Sequence, residues 1–297
     1  MELRHLRYFI AVAEELNFTR AAKRLHLGQP PLSQAIQALE ADVGAQLFER
    51  TRRWVRMTEA GRLFLADARN ILTLSEQAAD TARRAQRGEL GELRIGFTFS
   101  TPLTPLFATV INRYRQQFPA VSLRLHEMAT LPQLAALDAR TLDLGFVRPP
   151  DALLPAAVRL SALRQDRLMA VLPAASSLAR RKSIDIAELK DLPFVMYPAG
   201  AGTGIYPQIF RLCREAGFVP RIGQVAGEAS TIIGLVAAGC GVSVLPASFD
   251  RIRMDGAIYR PITGKSAVTS LLLAQRSDER TPLVEAFVAL AMAAAAE

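Results

Sequence analysis

Gln29, Ser33, Gln34 and Gln37 recur at the spacing of one helical face, and amides and hydroxyls of this reach can hydrogen-bond the base edges exposed in a DNA major groove. Downstream, Arg50, Arg52, Arg53 and Arg56 fall within seven residues, a density of guanidinium groups suited to phosphate or minor-groove contact. A third group lies further along: Thr98, Ser100 and Thr101, then Glu127-Met128-Ala129-Thr130, then Arg148, each following an apolar β-type run. Hydroxyls, free N–H groups and a fixed cation at strand ends suit a small anion in the cleft of an open α/β sheet. Helix capping by Ser100 and a surface ion pair for Arg148 are the alternative. Patterns for covalent or metal-assisted catalysis are missing from the chain. It has no G-x-S-x-G, P-loop or H-E-x-x-H, and the region beyond residue 90 has one histidine, His126.

The first group needs a rigid pair of helices. Phe18 to Val43 reads as such a pair, with Thr19 as cap, Ala21, Ala22 and Leu25 facing inward, and a turn at Leu27 and Gly28. Pro30 and Pro31 fall in the first turn of the second helix, where a missing N–H is tolerated, and Leu32, Ile36, Leu39 and Val43 form its apolar stripe. Upstream, Leu3, Leu6, Phe9, Ile10, Ala13 and Leu16 supply a third helix. Gly44 ends the pair, and Leu47 to Met57 reads as two short strands around a basic tip, a wing. An ordinary amphipathic pair with a solvated hairpin tip is the competing reading.

Thr58 to Gly88 contains no proline and predicts one long helix, capped by Thr58 and stopped at Gly88. Phe64, Ala68, Ile71, Ser75, Ala78, Ala82 and Ala85 keep a 4-3 alternation, the seam of a two-stranded coiled coil; packing of the same stripe on its own chain remains open. From Gly91 onward, apolar runs alternate with helical stretches, as in α/β units with parallel strands. Strands are expected at Leu93–Phe97, Val121–Glu127, Leu144–Val147, Leu168–Leu172, Phe194–Met196, Arg221–Val225, Val242–Leu245, Ala257–Arg260 and Ser270–Ala274. Helices are expected at Pro102–Gln117, Pro132–Arg140, Ile186–Leu189, Tyr206–Ala216 and Ser230–Ala238, with a last one from Pro282. Pro198 to Gly204 narrowly misses G-x-G-x-x-G because Ile205 takes the final glycine position, which argues against a nucleotide.

Composition narrows the class further. Half of the 297 residues are apolar, enough for more than one core, and the net charge is +8. Residues 1 to 90 hold 14 basic and 11 acidic side chains, so local clustering at the wing matters more than the total. Cys213 and Cys240 stand far apart with no C-x-x-C, which fits core positions in a reducing compartment rather than a metal site or disulfide. The charged amphipathic start and the lack of a ~20-residue apolar run predict a cytoplasmic protein with no membrane partner.

The run MELRHLRYFIAVAEELNFTRAAKRLHLGQPPLSQAIQALEADVGAQLFERT resembles the N-terminal domain of LysR-type transcriptional regulators, and the resemblance extends over essentially the whole chain. It implies an all-α winged helix-turn-helix, a long linker helix, and an α/β effector domain of two subdomains like a periplasmic binding protein. The expected boundaries are 1–58, 59–88 and 89–297, with subdomain I at 89–163 and 268–297, subdomain II at 164–267, and crossovers near Leu163 and Val268. Contacts to double-stranded promoter DNA are assigned to Gln29, Pro30, Pro31, Ser33, Gln34, Gln37, Arg50, Arg52 and Arg53. Phe64, Ala68, Ile71 and Ala78 would join two copies, effector domains would complete a homotetramer, and RNA polymerase is an implied partner. GFTFS, EMAT and GFVRPP are similar to the branch that senses benzoate, muconate or chlorocatechol-derived acids. On that likeness a small-molecule carboxylate effector would meet Ser100, Thr101, Thr130 and Arg148, with Pro198 and Ile205 facing them. Gly28 and Gln34 depart from the family's DNA-binding domain, where Ser or Thr and Arg are frequent, and Phe99 departs from the branch, where a small residue is common. No cofactor, metal or enzymatic activity is implied. A regulator of another pathway with a non-aromatic effector is the alternative, and an enzyme on a binding-protein fold a distant one.

Overall fold

The computed structural model describes residues 1–51, 54–150 and 153–297. Arg52 and Arg53, both assigned to DNA contact, lie outside the described residues. The chain forms two compact units, Met1–Ala85 and Gln86–Glu297.

In the first unit, α1 (Leu3–Glu15), α2 (Phe18–Arg24) and α3 (Gln29–Val43) precede a two-stranded wing, β1 (Phe48–Arg50) and β2 (Val55–Met57), and then α4 (Glu59–Gln86). Thr19 is not the cap of α2. The helix starts one residue earlier on the buried Phe18, so Asn17 takes the cap position and its side chain accepts the Arg20 N–H at 3.0 Å. Leu32, Ile36 and Leu39 are fully buried, whereas Val43 is exposed because it is the last helical residue before Gly44, which turns left-handed at φ +74°. Phe9 stands at the centre of the core, with its ring 5.2 Å from both Phe48 and Phe64.

Thr58 caps α4 as expected: its hydroxyl accepts the Gly61 N–H at 2.9 Å and donates to the Gln46 carbonyl at 2.7 Å. The expected dimer seam is altered by this docking. Ala68 is fully buried in its own chain, and Phe64 and Ile71 pack against the same core, so the first half of that stripe is already covered. Ala78 is exposed, and the large apolar side chains that α4 leaves open are Leu63 and Leu74.

The second unit comprises two lobes with separate cores. Its elements are β3 (Gly91–Phe97), α5 (Pro105–Gln117), β4 (Val121–Glu127), α6 (Thr130–Asp138), β5 (Leu144–Val147), β6 (Val158–Pro173), β7 (Pro193–Met196), α7 (Ile205–Glu215), β8 (Arg221–Val225), α8 (Ala229–Ala237), β9 (Ser243–Pro246), β10 (Ala257–Pro261), β11 (Val268–Arg276) and α9 (Pro282–Ala296). In the first lobe β4, β3 and β5 are parallel, and β11 and the first half of β6 extend that sheet antiparallel. In the second lobe the other half of β6 lies antiparallel between β9 and β10, and β7 and β8 pair in parallel beyond.

The uniformly parallel arrangement suggested by the alternating pattern is therefore wrong for β6, β9, β10 and β11. The strand at Val158–Leu163 was also not expected. It is the first part of a 16-residue β6 that runs through both lobes. Leu271 pairs with Arg164 and Leu272 with Ala162, which leaves Leu163 as a bulge where the chain passes from one lobe to the other. The helix expected from Pro102 begins at Pro105, because the Thr104 N–H (3.0 Å) and hydroxyl (2.7 Å) both close a turn on the Thr101 carbonyl. Ile186–Leu189 is a 3₁₀ turn rather than an α-helix, held by a reciprocal cap between Asp185 and Glu188.

Candidate functional site

Strand ends and helix starts of the second unit meet at a cavity of about 150 Å³ between the lobes. Thr98, Phe99 and Ser100 follow β3, Glu127 to Ala129 join β4 to α6, and Arg148 follows β5. The facing lobe contributes Tyr197, Thr203, Ile205, Glu228, Ala229 and Phe249. The rings of Phe99 and Phe249 stack across the cavity at 6.0 Å and 6°. Ala129, Ile205 and Ala229 stand at the beginnings of α6, α7 and α8, so three helix N-termini with partial positive charge open towards it.

Arg148 is the central group. It is 2% exposed, its Nε and Nη2 donate to the Ser100 hydroxyl at 3.2 and 3.1 Å, and Nη2 also meets Asp166 at 2.8 Å. Asp166 comes from β6, is equally buried, and accepts from the half-exposed Arg164 at 3.1 Å. Arg148 therefore forms an ion pair, but a buried one rather than the surface pair considered as the alternative, with an acid that strand pairing brings in from far away in sequence. Burial pulls the Arg148 guanidinium below its ordinary pKa, and Asp166 opposes the shift. Its Nη1 is buried with no hydrogen-bond partner among the described residues, and so is the Thr203 hydroxyl. Nη1 can only donate and wants an acceptor, whereas the Thr203 hydroxyl can take either an acceptor or a donor. Burial, then the nearby Glu127, pushes the Tyr197 hydroxyl up, so it stays a neutral donor.

Of the expected effector residues, Ser100, Arg148 and Ile205 lie on the wall. Thr101 and Thr130 are fully buried behind it: Thr101 pairs with the Thr98 hydroxyl at 2.9 Å, and the Thr130 hydroxyl accepts the Arg148 N–H at 3.1 Å. They shape the wall and do not reach the cavity. Pro198 opens the turn at Ala199–Ala201 and lies off the wall. Asp166 and Glu228 escaped the sequence reading; for Asp166, no local spacing marks an acid on a strand as the partner of a distant arginine.

The glycines between Pro198 and Ile205 serve close approach. Gly202 and Gly204 have φ of +64° and +70°, the Gly202 carbonyl accepts the Leu131 N–H at 3.1 Å, and a Cβ on Gly204 would sit 3.1 Å from the Pro149 carbonyl. Gln208 ties the same loops, donating to the Pro149 carbonyl at 3.3 Å and to the Gly204 carbonyl at 2.9 Å.

On the first unit, Gln29, Pro30, Pro31, Gln34 and Gln37 are exposed along α3. Ser33 is half-buried and accepts from Arg50 at 3.2 Å, while Arg50 also stands 3.7 Å from Glu40 and 5.7 Å over the Phe18 ring. Arg50 is thus tethered to the helix rather than projecting freely. Glu40, which the sequence did not single out, fastens wing to helix by accepting the N–H groups of Leu47 (2.8 Å) and Phe48 (3.1 Å). Among the described residues no cluster of His, Cys, Asp and Glu could hold a metal, and no helix is long and apolar enough to cross a membrane. Burial pushes the Cys213 thiol up to about 12, which suits a core residue.

Comparison with known proteins covers both units. Residues 3–62 match the bacterial regulatory helix-turn-helix protein model of the lysR family, and residues 86–296 match the LysR substrate binding domain. The uncharacterized HTH-type transcriptional regulator YnfL of Escherichia coli (strain K12) is 46% identical over 288 residues, 97% of this chain and 96% of that protein. The HTH-type transcriptional regulator AlsR of Bacillus subtilis (strain 168) is 38% identical, covering 97% and 94%. Full-length CbnR, crystallised in complex with its target DNA, superposes with a TM-score of 0.82 at 32% identity over 99% of this chain and 100% of that one.

Proposed function

The chain belongs to the LysR family of DNA-binding transcriptional regulators, and from that premise we propose that it switches promoter DNA in response to a small organic acid held between the lobes of its second unit. The observation that carries this reading is the buried, unpartnered Nη1 of Arg148 on the wall of a cavity onto which three helices open. A carboxylate supplies the missing acceptors, and the Phe99–Phe249 stack suits an apolar body, in keeping with the likeness to the aromatic-acid branch. Calorimetric titration of the full chain with benzoate and with benzamide, its neutral counterpart, tests the charge requirement. Benzoate is expected to bind and benzamide not; equal binding would overturn the reading.

DNA contact is assigned to the exposed face of α3, and the CbnR complex with target DNA supports it by similarity. Gln37→Ala is expected to relax preference at one base position by ~1 to 3 kcal/mol. Arg50→Ala should instead weaken all sites alike and lower the salt slope of log K by about 0.9 if a phosphate contact is lost. Site selection and binding at several salt concentrations check both. Unaltered preference in Gln37→Ala would move the base contacts elsewhere on α3.

Self-association is proposed through α4 and through the open sheet edges. Leu63 and Leu74 are 66% and 63% exposed on α4, and the edge strands β4 and β8 leave Leu125, Ile222 and Val225 uncovered. Two helix-turn-helix units joined this way would span the halves of a palindromic site. Leu74→Asp is expected to halve the sedimentation mass of the full chain, and an unchanged mass would place the contact on another surface. RNA polymerase as a further partner rests on the family alone.

A further inference from the structure

We infer that the cavity selects a monocarboxylate bearing one hydrogen-bond donor, and rejects dicarboxylates; the inference rests on the carboxylate reading of the site given above. Among the described residues, the charged groups on the wall are Arg148, Glu127 and Glu228. Arg148 is the one cation among them, and its charge is already shared with Asp166 at 2.8 Å. Its Nη1 is buried and has no partner among the described residues, which leaves it to donate to one carboxylate. The two glutamates line it from opposite lobes and are both exposed to solvent: Glu127 ends β4, and Glu228 precedes α8. Neither has an ion-pair partner among the described residues. Glu228 sits at the N-terminus of α8, so that end of the helix is already matched by an anion.

A ligand carboxylate on Arg148 therefore leaves its far end facing acids. A second carboxylate there would be held against Glu127 and Glu228 with no cation to offset it, whereas a hydroxyl or ammonium would donate to either. Size points the same way. A cavity of about 150 Å³ equals one known to accept benzene, so a ring or a short chain with one charged head fills it.

Pairs in which an alcohol takes the place of the second carboxylate test the inference by calorimetry on the full chain: 3-hydroxybenzoate against isophthalate, and 4-hydroxybutyrate against succinate, with benzoate as the acid lacking a donor. The hydroxy acid of each pair is expected to bind at least tenfold more tightly than the diacid, and 3-hydroxybenzoate several-fold more tightly than benzoate. In the Glu127→Gln, Glu228→Gln double variant, whose folding is checked by thermal melting and operator binding, the preference over the diacids should shrink below threefold. Diacids that bind as tightly as their partners, a donor that adds nothing over benzoate, or a preference that survives in the double variant would each overturn the inference and leave the acid-sensing reading standing. If none of these acids binds, the carboxylate reading itself fails and this inference with it.

Discussion

Asp166→Ala is expected to destabilise the second unit by roughly 3 to 5 kcal/mol, because it removes one partner of a buried ion pair and leaves the other uncompensated. Arg148 cannot shed its proton to escape the cost. Both side chains are 2% exposed, and after the change the guanidinium would keep, among the described residues, only the Ser100 hydroxyl as a side-chain acceptor. Restoring the balance should restore the fold: in Asp166→Ala with Arg148→Met no charge is stranded, and most of the loss is expected to return while acid binding does not. Urea unfolding can follow the two units separately. The one tryptophan, Trp54, lies in the first unit, so its fluorescence should keep the parent midpoint while far-UV circular dichroism shows a second, earlier transition. A loss below 1 kcal/mol, or a double variant no better than the single one, would show that water already reaches the pair.

Gly61→Ala should have the opposite sign from an ordinary glycine replacement in a helix. On an exposed helix the change would gain up to about 1 kcal/mol from propensity. Here the added Cβ would lie 2.2 Å from the carbonyl oxygen of Leu47 and 3.1 Å from its carbonyl carbon, both backbone atoms that no rotamer change can move. Leu47 is itself fully buried, and the Thr58 hydroxyl holds the carbonyl of the preceding Gln46. Overpacking of this kind costs ~1 to 3 kcal/mol where side chains can yield, and should reach the upper end where they cannot. The transition reported by Trp54 is expected to fall by about 3 kcal/mol. Operator binding should be lost with it, and the second unit should unfold as in the parent. A Trp54 midpoint that holds or rises would show that α4 can shift away from the wing.

The helical pair and wing were legible because their signals are local: proline at helix starts, glycine at helix ends, and apolar spacing that Leu32, Ile36 and Leu39 obey. What failed there was decided by neighbours. Asn17 rather than Thr19 caps α2 because burial of Phe18 sets the start of the helix, and Phe64, Ala68 and Ile71 are turned inward by α1 and the wing. In the second unit, strand positions were readable from apolar runs, but pairing was not. An antiparallel partner for β5 comes from β11, far away in sequence. The same nonlocality hid Asp166 from Arg148. Ser100 and Arg148 were legible as polar residues at strand ends, whereas Thr101 and Thr130, of the same type and place, turned out to hold the wall from behind. Chemistry and position along a strand do not say which way a hydroxyl faces.

The single continuous β6, zipped to β11 and bulged at Leu163, makes the joint between the lobes a ribbon instead of a pair of slack tethers. Opening or closing the cavity must twist a hydrogen-bonded ladder, and torsion of a ribbon is spring-like: displacement is small and resisted in proportion. The bulge is the place where that torsion concentrates, since a residue without a ladder partner already carries extra twist. A sensor built on such a spring gains nothing from tight binding alone; what moves it is the difference in affinity between the relaxed and the twisted form. Stiffening Leu163 or loosening it would then retune the concentration at which the proposed effector acts, with every residue assigned to touch it left as it is.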